Sequence, residues 1–489
     1  MKKGCIFSYL ISEDKLTIPE LAEEKKFGKY TVLTDSRTSF SFASEGFIEC
    51  AVFGLAVNVM SGNGDNISVE IVEQCKSIHD VIEYEKYLGG KYIILYRNGE
   101  QYYFQGDATC SIPCFYNTEG SLVCSNNLQY IVHAKKISED NEYHSIRQCG
   151  DISQAMPYDI TSYREIKQLI PNHYLDMNNQ KSVRFINAKT KQNVLTVDKA
   201  IEVTSPMIDN ILDFYLRNYK IYCPITSGRD SRVVLSFLMH SKSDFCCYTI
   251  KHPEHNDSTQ DIIIPIDLCK RQNIPHVLVE DTTLTDETVY EVDNSLGEKC
   301  YSKRTLRIAQ TVLENFGDGA IINGDIIGQV GKCSLHRDIP TIFATPSYFR
   351  CKLHNYSSGA KKYLKLWLRD IDKAGEQINH FDLFSIENRM GRWAAQSNMV
   401  YDTIGQMSLN IFNSRSIIYT WTAVERKMRT RSAIHLKLIN DKFPALLDVS
   451  FESDNSVLLK FSKSTWLCFL CASYIKFYFE KMKYGRTHC

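Results

Sequence analysis

Thr226-Ser-Gly-Arg-Asp-Ser231 places three hydroxyls, a glycine and a carboxylate in one short polar turn. A short apolar run, Ile221 to Ile225, precedes it, and Val233, Val234, Leu235, Phe237 and Leu238 open an apolar helix face after it. Strand, small-residue turn and helix N-terminus in succession form a cradle for an anion. The first amides of a helix lack internal acceptors, and the helix dipole is positive at that end. Thr226, Ser227 and Gly228 are small enough for the backbone to approach a phosphate. The hydroxyls of Thr226, Ser227 and Ser231 add donors. Asp230 orders the loop or reaches a metal-bound phosphate. The chemistry predicted for this turn is nucleotide binding, and the spacing matches neither G-x-x-x-x-G-K-[ST] nor G-x-G-x-x-G.

The elements that must hold this turn can be read around it. Val197 to Tyr219 has the pattern of a long amphipathic helix. Strand and helix then alternate over 221–225, 231–241, 245–250, 259–273, 276–279, 303–316 and 320–323, which predicts βαβ units and a parallel sheet. Beyond 340 the chain reads mostly helical. Residues 1 to about 135 are instead rich in β-branched and aromatic runs broken by turns. Arg97-Asn-Gly-Glu100 and Tyr116 to Leu122 read as hairpin turns, so a sandwich of antiparallel strands is expected there. The polar stretch 187–193 is the best linker. The expected fold class is thus α/β and α+β in two domains, with boundaries at 1–190 and 191–489.

Composition narrows the function classes. The chain has 489 residues, 44% hydrophobic and 23% charged, as an ordinary globular protein does. Lys+Arg 57 balances Asp+Glu 57, so net charge gives no support for a nucleic-acid or anionic-membrane partner. No apolar segment reaches transmembrane length, and the run Trp466 to Phe479, interrupted by Lys476, reads as a core or partner-facing helix. Acidic residues follow the first apolar run at once, unlike a signal peptide, so a cytoplasmic location is expected. The 17 cysteines are scattered, and they read as buried reduced thiols rather than a metal or redox site.

Thr226–Ser231 resembles the S-G-G-x-D-S pyrophosphate loop of the PP-loop ATP pyrophosphatases, in the variant found in asparagine-synthetase-like proteins. Thr226 stands for Ser and Ser227 for the first Gly. The resemblance continues upstream. Leu88-Gly-Gly-Lys-Tyr-Ile-Ile-Leu-Tyr96, Gly106-Asp107, Ile112-Pro-Cys-Phe-Tyr116 and Val123-Cys-Ser-Asn126 are similar to the second half of a class II glutaminase domain. Ile166 to Leu175 resembles the segment joining the two domains of that family. Asn388-Arg-Met-Gly-Arg-Trp393 and Asn413-Ser-Arg415 resemble its helical C-terminal part.

What the resemblance implies is an N-terminal Ntn-hydrolase-like sandwich followed by a PP-loop synthetase domain. ATP and Mg²⁺ are the implied cofactors, and an amide-forming ligase that makes an acyl-adenylate is the implied enzyme. Its substrate would be a small-molecule or peptide carboxylate, with an amine or ammonia as nucleophile. Thr226, Ser227, Gly228, Arg229, Asp230, Ser231, Asp261, Gly324 and Asp325 would bind ATP and pyrophosphate, with Asp230 and Asp325 on the metal. Read from the residues alone, Asp257 is a helix N-cap and Asp261 a first-turn acid. At Asn323-Gly-Asp-Ile-Ile-Gly-Gln329, Gly328 and Gln329 stand where the family commonly has acidic residues. Asp230, Lys460 and Lys463 are the expected catalytic residues, the two lysines as candidates for the family's late-chain lysine. Arg415, Arg429 and Arg431 are weighed as an acceptor pocket against ordinary surface or capping charges.

The family's glutaminase nucleophile is an N-terminal cysteine, whereas Cys5 here is internal. Glutamine hydrolysis is therefore not expected, and ammonia would come free, from a partner protein, or as an amine of the substrate itself. Oligomerisation is left open. The reading from a different class is a noncatalytic nucleotide-binding scaffold or regulator, for which Gly328 and Gln329 speak.

Overall fold

The computed structural model describes residues 6–149, 156–186, 192–256, 258–296, 301–372, 378–452 and 464–484. The first part of the chain supplies twelve strands among them: β1 (Tyr9–Ser12), β2 (Glu23–Phe27), β3 (Tyr30–Thr34), β4 (Phe40–Glu45), β5 (Ile48–Asn58), β6 (Leu88–Asn98), β7 (Gln101–Gly106), β8 (Cys114–Asn117), β9 (Val123–Ser125), β10 (Ile166–Leu169), β11 (His173–Asp176) and β12 (Lys181–Arg184). They form two six-stranded antiparallel sheets, ordered β10-β8-β9-β1-β3-β2 and β12-β11-β7-β6-β5-β4. The hairpin at Asn98–Gln101 closes β6 on β7 with Gly99 at φ 59°, and Tyr116 pairs with Cys124 across the second turn. Both turns fall where the sequence placed them.

Alternation along the strands decides the packing. Inward residues such as Tyr9, Tyr30, Phe53 and Phe104 meet between the sheets, with Tyr9 and Phe53 ring centroids 5.2 Å apart. The opposite face of the second sheet packs on the helices Ile67–Gln74 and Ile78–Glu85 through Ile71, Val72, Val81 and Ile82. The opposite face of the first sheet packs on the helix Leu128–Lys135 through Leu128 and Ile131. The result is a helix–sheet–sheet–helix sandwich. Three of its strands, β10 to β12, come from the stretch 166–184, where the polarity pattern alone gave no clear period.

The later part of the chain builds a five-stranded sheet from β13 (Ile221–Pro224), β14 (Cys246–Lys251), β15 (His276–Glu280), β16 (Ala320–Ile322) and β17 (Met407–Leu409). All its pairings are parallel, in the order β15-β14-β13-β16-β17. The chain thus reverses direction across the sheet between β13 and β16. β17 was missed in the sequence, because three residues within helical text carry no period. The helix Val197–Asn218, N-capped by Thr196, packs Ile208, Ile211, Leu212 and Tyr215 into the core shared with the sandwich.

The two sheet systems are also joined by buried charge. Lys91 Nζ lies 2.5 Å from Asp402, and Arg184 spans Glu387 and Asp370, both at 2.6 Å. Arg415 donates to Glu85 and to the Ile82 carbonyl. Among the described residues thirteen cysteines are free thiols, ten of them buried; Cys149 is disulfide-bonded, which corrects the expectation that the cysteines are all reduced. Among the described residues no helix is long and apolar enough to cross a membrane.

Candidate functional site

Ligands of open parallel sheets sit beyond the strand C-termini, where the strand order reverses. The turn after β13 and the turn after β16 meet at that place. β13 leads into Thr226–Gly228 and then the helix Arg229–Ser241, whose N-terminus has no side-chain cap. The turn is built differently from the simple cradle read in the sequence. Thr226 N donates to Ser231 Oγ at 3.2 Å, and Gly228 N to Thr226 Oγ1 at 3.2 Å. Ser227 is fully buried, and both its N–H (3.0 Å) and its hydroxyl (2.5 Å) donate to Asp261 Oδ1. Ser227 is therefore corrected from phosphate donor to anchor. The amides left for an anion are those of the first helical turn, Arg229, Asp230 and Ser231. Asp261 also gains a role: from the head of the helix Gln260–Arg271 it fixes the neighbouring loop, and dipole compensation is secondary. Asp257 lies outside the described residues.

The facing turn presses against this helix. A Cβ at Gly324 would stand 3.1 Å from the Asp230 backbone, and one at Gly328 would stand 2.6 Å from Asp230 Oδ2. Gly328 is thus the residue that makes room for the Asp230 carboxylate. An Asp at this position would collide with it. The other carboxylate oxygen, Oδ1, lies 2.8 Å from His435 Nε2. That nitrogen must carry its proton to face a carboxylate. Burial pushes His435 down from its ordinary value despite the Asp230 contact, and its buried Nδ1 has no partner among the described residues. Burial raises Asp230, but His435, Lys332 and Arg229 outweigh it and hold the carboxyl below the ordinary range. Asp325 behaves oppositely. Burial pushes it up, and the Asp230 charge adds to this, although Asn398 Nδ2 donates to it at 3.3 Å.

Behind Asp325 lies a cavity of about 30 Å³ between sandwich and parallel sheet, with Lys91, Asn323, Asn398, Asn410 and Asn413 among its lining. It has room for a water or two. Asp107 closes its sandwich side, accepting from Asn413 Nδ2 at 2.9 Å and from Ser111 Oγ at 2.6 Å.

His435, Lys332 and Asn398 were not singled out in the sequence, and Arg389 appeared there only within the stretch Asn388–Trp393. No local signal marks them, and only the close approach of Gly324 and Gly328 to Asp230 reveals which faces converge. Two of them lie on or beside π-helical segments, Ile327–Gly331 and Ser385–Ala394, a conformation frequent at functional sites. Arg415 and Arg429 are held by protein partners: Arg415 by Glu85, and Arg429, which is buried, bidentately by Asp382 at 2.7 and 3.0 Å. Arg431 caps the short helix Arg426–Thr430. His252 pairs with Asp281 at 2.9 Å. Lys460, Lys463 and Cys5 lie outside the described residues.

A divalent ion fits poorly on the expected pair. Asp230 is held by His435 and wedged on Gly328, while Asp325, whose pKa burial pushes up, is held by Asn398. Among the described residues no three His, Cys, Asp or Glu side chains form a metal cluster.

No family model matches the chain, and no curated protein matches it. Among solved structures it is similar to glutamine phosphoribosylpyrophosphate amidotransferase from B. subtilis complexed with ADP and GMP. The identity is 11%, over 68% of this chain and 72% of that one, at a TM-score of 0.23. An overlay that loose bears on neither the reaction nor the ligand of this chain.

Proposed function

We propose that this protein is an ATP-dependent amide ligase of the asparagine-synthetase-like type. The observation that carries the proposal is the meeting of the Thr226–Ser231 and Gly324–Asp325 turns where strand order reverses, with an uncapped helix N-terminus between them. In this scheme a carboxylate oxygen of the acceptor attacks the α-phosphorus of ATP. The bond to the β-phosphate breaks, and pyrophosphate leaves toward the amides of Arg229, Asp230 and Ser231. An amine or ammonia then attacks the acyl carbon, AMP departs with the bonding pair, and the amine proton is lost to solvent. Positioning and charge stabilisation do most of this work. Asp261 and His435 hold the loop and Asp230 in place. The N-terminal half is read as a degenerate Ntn glutaminase domain.

ATP–pyrophosphate exchange across a panel of carboxylic acids tests the proposal. Exchange with one acid, abolished by Asp230→Ala, is the expected outcome. Nucleotide binding with no exchange for any acid would instead favour a noncatalytic scaffold, a reading supported by the His435 hold on Asp230. Glutamate release from glutamine that depends on Cys5 would overturn the degenerate-glutaminase part.

A further inference from the structure

We propose that the helix Trp466–Tyr484 docks this protein on an anionic phospholipid surface, lying flat in the membrane interface on its outer face. Such docking needs nothing from the nucleotide site.

The helix has 19 residues and is apolar on two sides. One side is used inside the protein. Leu470 and Phe477 are buried, the Phe477 ring lies 5.3 Å from that of Tyr356, and the Tyr474 ring lies 6.3 Å from that of Tyr348. Polar contacts hold the same side: Lys352 Nζ donates to Ser473 Oγ at 2.8 Å, and His354 Nδ1 lies 2.9 Å from Glu480. The other side is a stripe. Leu467, Cys471, Ile475, Tyr478 and Met482 follow at steps of four, four, three and four, the spacing of one helix face. Leu467, Ile475, Tyr478, Phe479 and Met482 are 51% to 69% exposed, and Cys471 is exposed as well. A helix that is apolar all round belongs in surroundings that cover it all round. Among the described residues no helix is long and apolar enough to cross a membrane, so this one would lie on a bilayer rather than span it.

Charge selects the occupant. The helix carries Lys476, Lys481 and Lys483 and a single acid, Glu480, which already meets His354 and lies 3.8 Å from Lys476. Lys476 and Lys483 are exposed. The whole chain is neutral, so this excess of positive charge is local. A second copy of the helix would bring lysines against lysines with one acid to offset them. The stripe is also small for a protein partner. At about 1.5 Å per residue and about 10 Å in width it covers roughly 300 Å², against about 800 Å² on each side of a stable association. A lipid surface requires no such area. The apolar side chains sink among the acyl chains, the Tyr478 ring sits at headgroup level, and lysines beside the stripe meet the phosphates.

The test is co-sedimentation of the full chain with vesicles of phosphatidylcholine alone and of phosphatidylcholine mixed with phosphatidylglycerol, beside light scattering without lipid. Binding to the anionic vesicles is expected, and salt should weaken it. Ile475→Asp combined with Phe479→Asp should weaken it about tenfold or more, and Lys476→Gln about fivefold. Absence of binding to the anionic vesicles overturns the proposal. Equal binding to both vesicle types overturns it, as does binding that the double variant spares. A dimer in solution that the double variant dissociates would give the face to a second copy and overturn it too. The wild-type comparison of the two vesicle types decides the question even if a variant fails to fold.

Discussion

At the scale of single residues, two contacts set the candidate site. Asp261 receives both donors of Ser227 on one oxygen. Asp261→Ala would leave a buried N–H and a buried hydroxyl unpaired, at about 1–3 kcal/mol for such a loss. Its thermal melt should fall accordingly, and ATP affinity should fall with it. A variant that keeps affinity while losing stability would show that the anchor does not shape the site. Gly328→Ala tests the second contact. With its Cβ 2.6 Å from Asp230 Oδ2, the carboxylate must swing away from His435. The expected result is a stability loss of about 1–3 kcal/mol, typical of overpacking. Wild-type stability and exchange activity in this variant would mean that Asp230 is free to move.

Buried histidines give a pH signature at the same scale. His336 is enclosed by Tyr348, Phe349, Phe381 and Phe384, and burial first, then the nearby Lys352, Arg426 and Arg389 charges, push it well below 6.5. Burial also lowers His276 and His435. A histidine lowered in the folded state stabilises fully above its unfolded value and loses that contribution as pH falls toward the folded one. Tm is therefore expected to drop between pH 7.5 and 5.5, and His336→Phe should flatten that slope. An unchanged slope in His336→Phe would assign the acid sensitivity elsewhere.

At the scale of elements, the helix Arg229–Ser241 is fixed at its start by a buried arginine. Arg232 donates to the carbonyls of Leu446 (3.1 Å), Val449 (2.6 Å) and Ser450 (3.3 Å) and stacks on Phe451. Burial pushes its guanidinium down to about 10. Arg232→Met should cost about 2–4 kcal/mol in urea denaturation, from several stranded carbonyls at once. Strong local signals explain what the sequence disclosed. The hairpin at Asn98–Gln101, the helix from Val197 and the strand–turn–helix at 221–241 each have a period or a turn residue that speaks for itself. β17 and the role of Arg232 do not, because three strand residues have no period and a helical arginine resembles any surface charge. His435 is separated from Asp230 by 205 positions and reaches it only through the packing of the helix Ala433–Lys442 on the helix Arg229–Ser241. Ser227 misled for a related reason: a small residue in a turn suits ligand approach and burial equally well.

At the scale of the whole molecule, the sandwich and the parallel-sheet half share one hydrophobic core and several buried ion pairs. Asp402→Ala would leave Lys91, only 4% exposed at its side chain, without its counter-charge. Removing one member of a buried pair typically costs about 3–5 kcal/mol. Fluorescence and far-ultraviolet dichroism should follow one coincident unfolding transition in the wild type. Two separated transitions would show that the halves fold independently despite those pairs.

The paired charges also bear on descent. A half that supplies the counter-ions for its neighbour's interior is maintained by selection for that alone, whatever becomes of its own chemistry. Mutations could erase a reaction centre in the sandwich at no cost to folding, while Lys91, Glu85 and Arg184 stayed bound to Asp402, Arg415 and Glu387. Among homologues these three pairs are expected to change together or not at all, and the sandwich would serve its neighbour as a permanent internal chaperone.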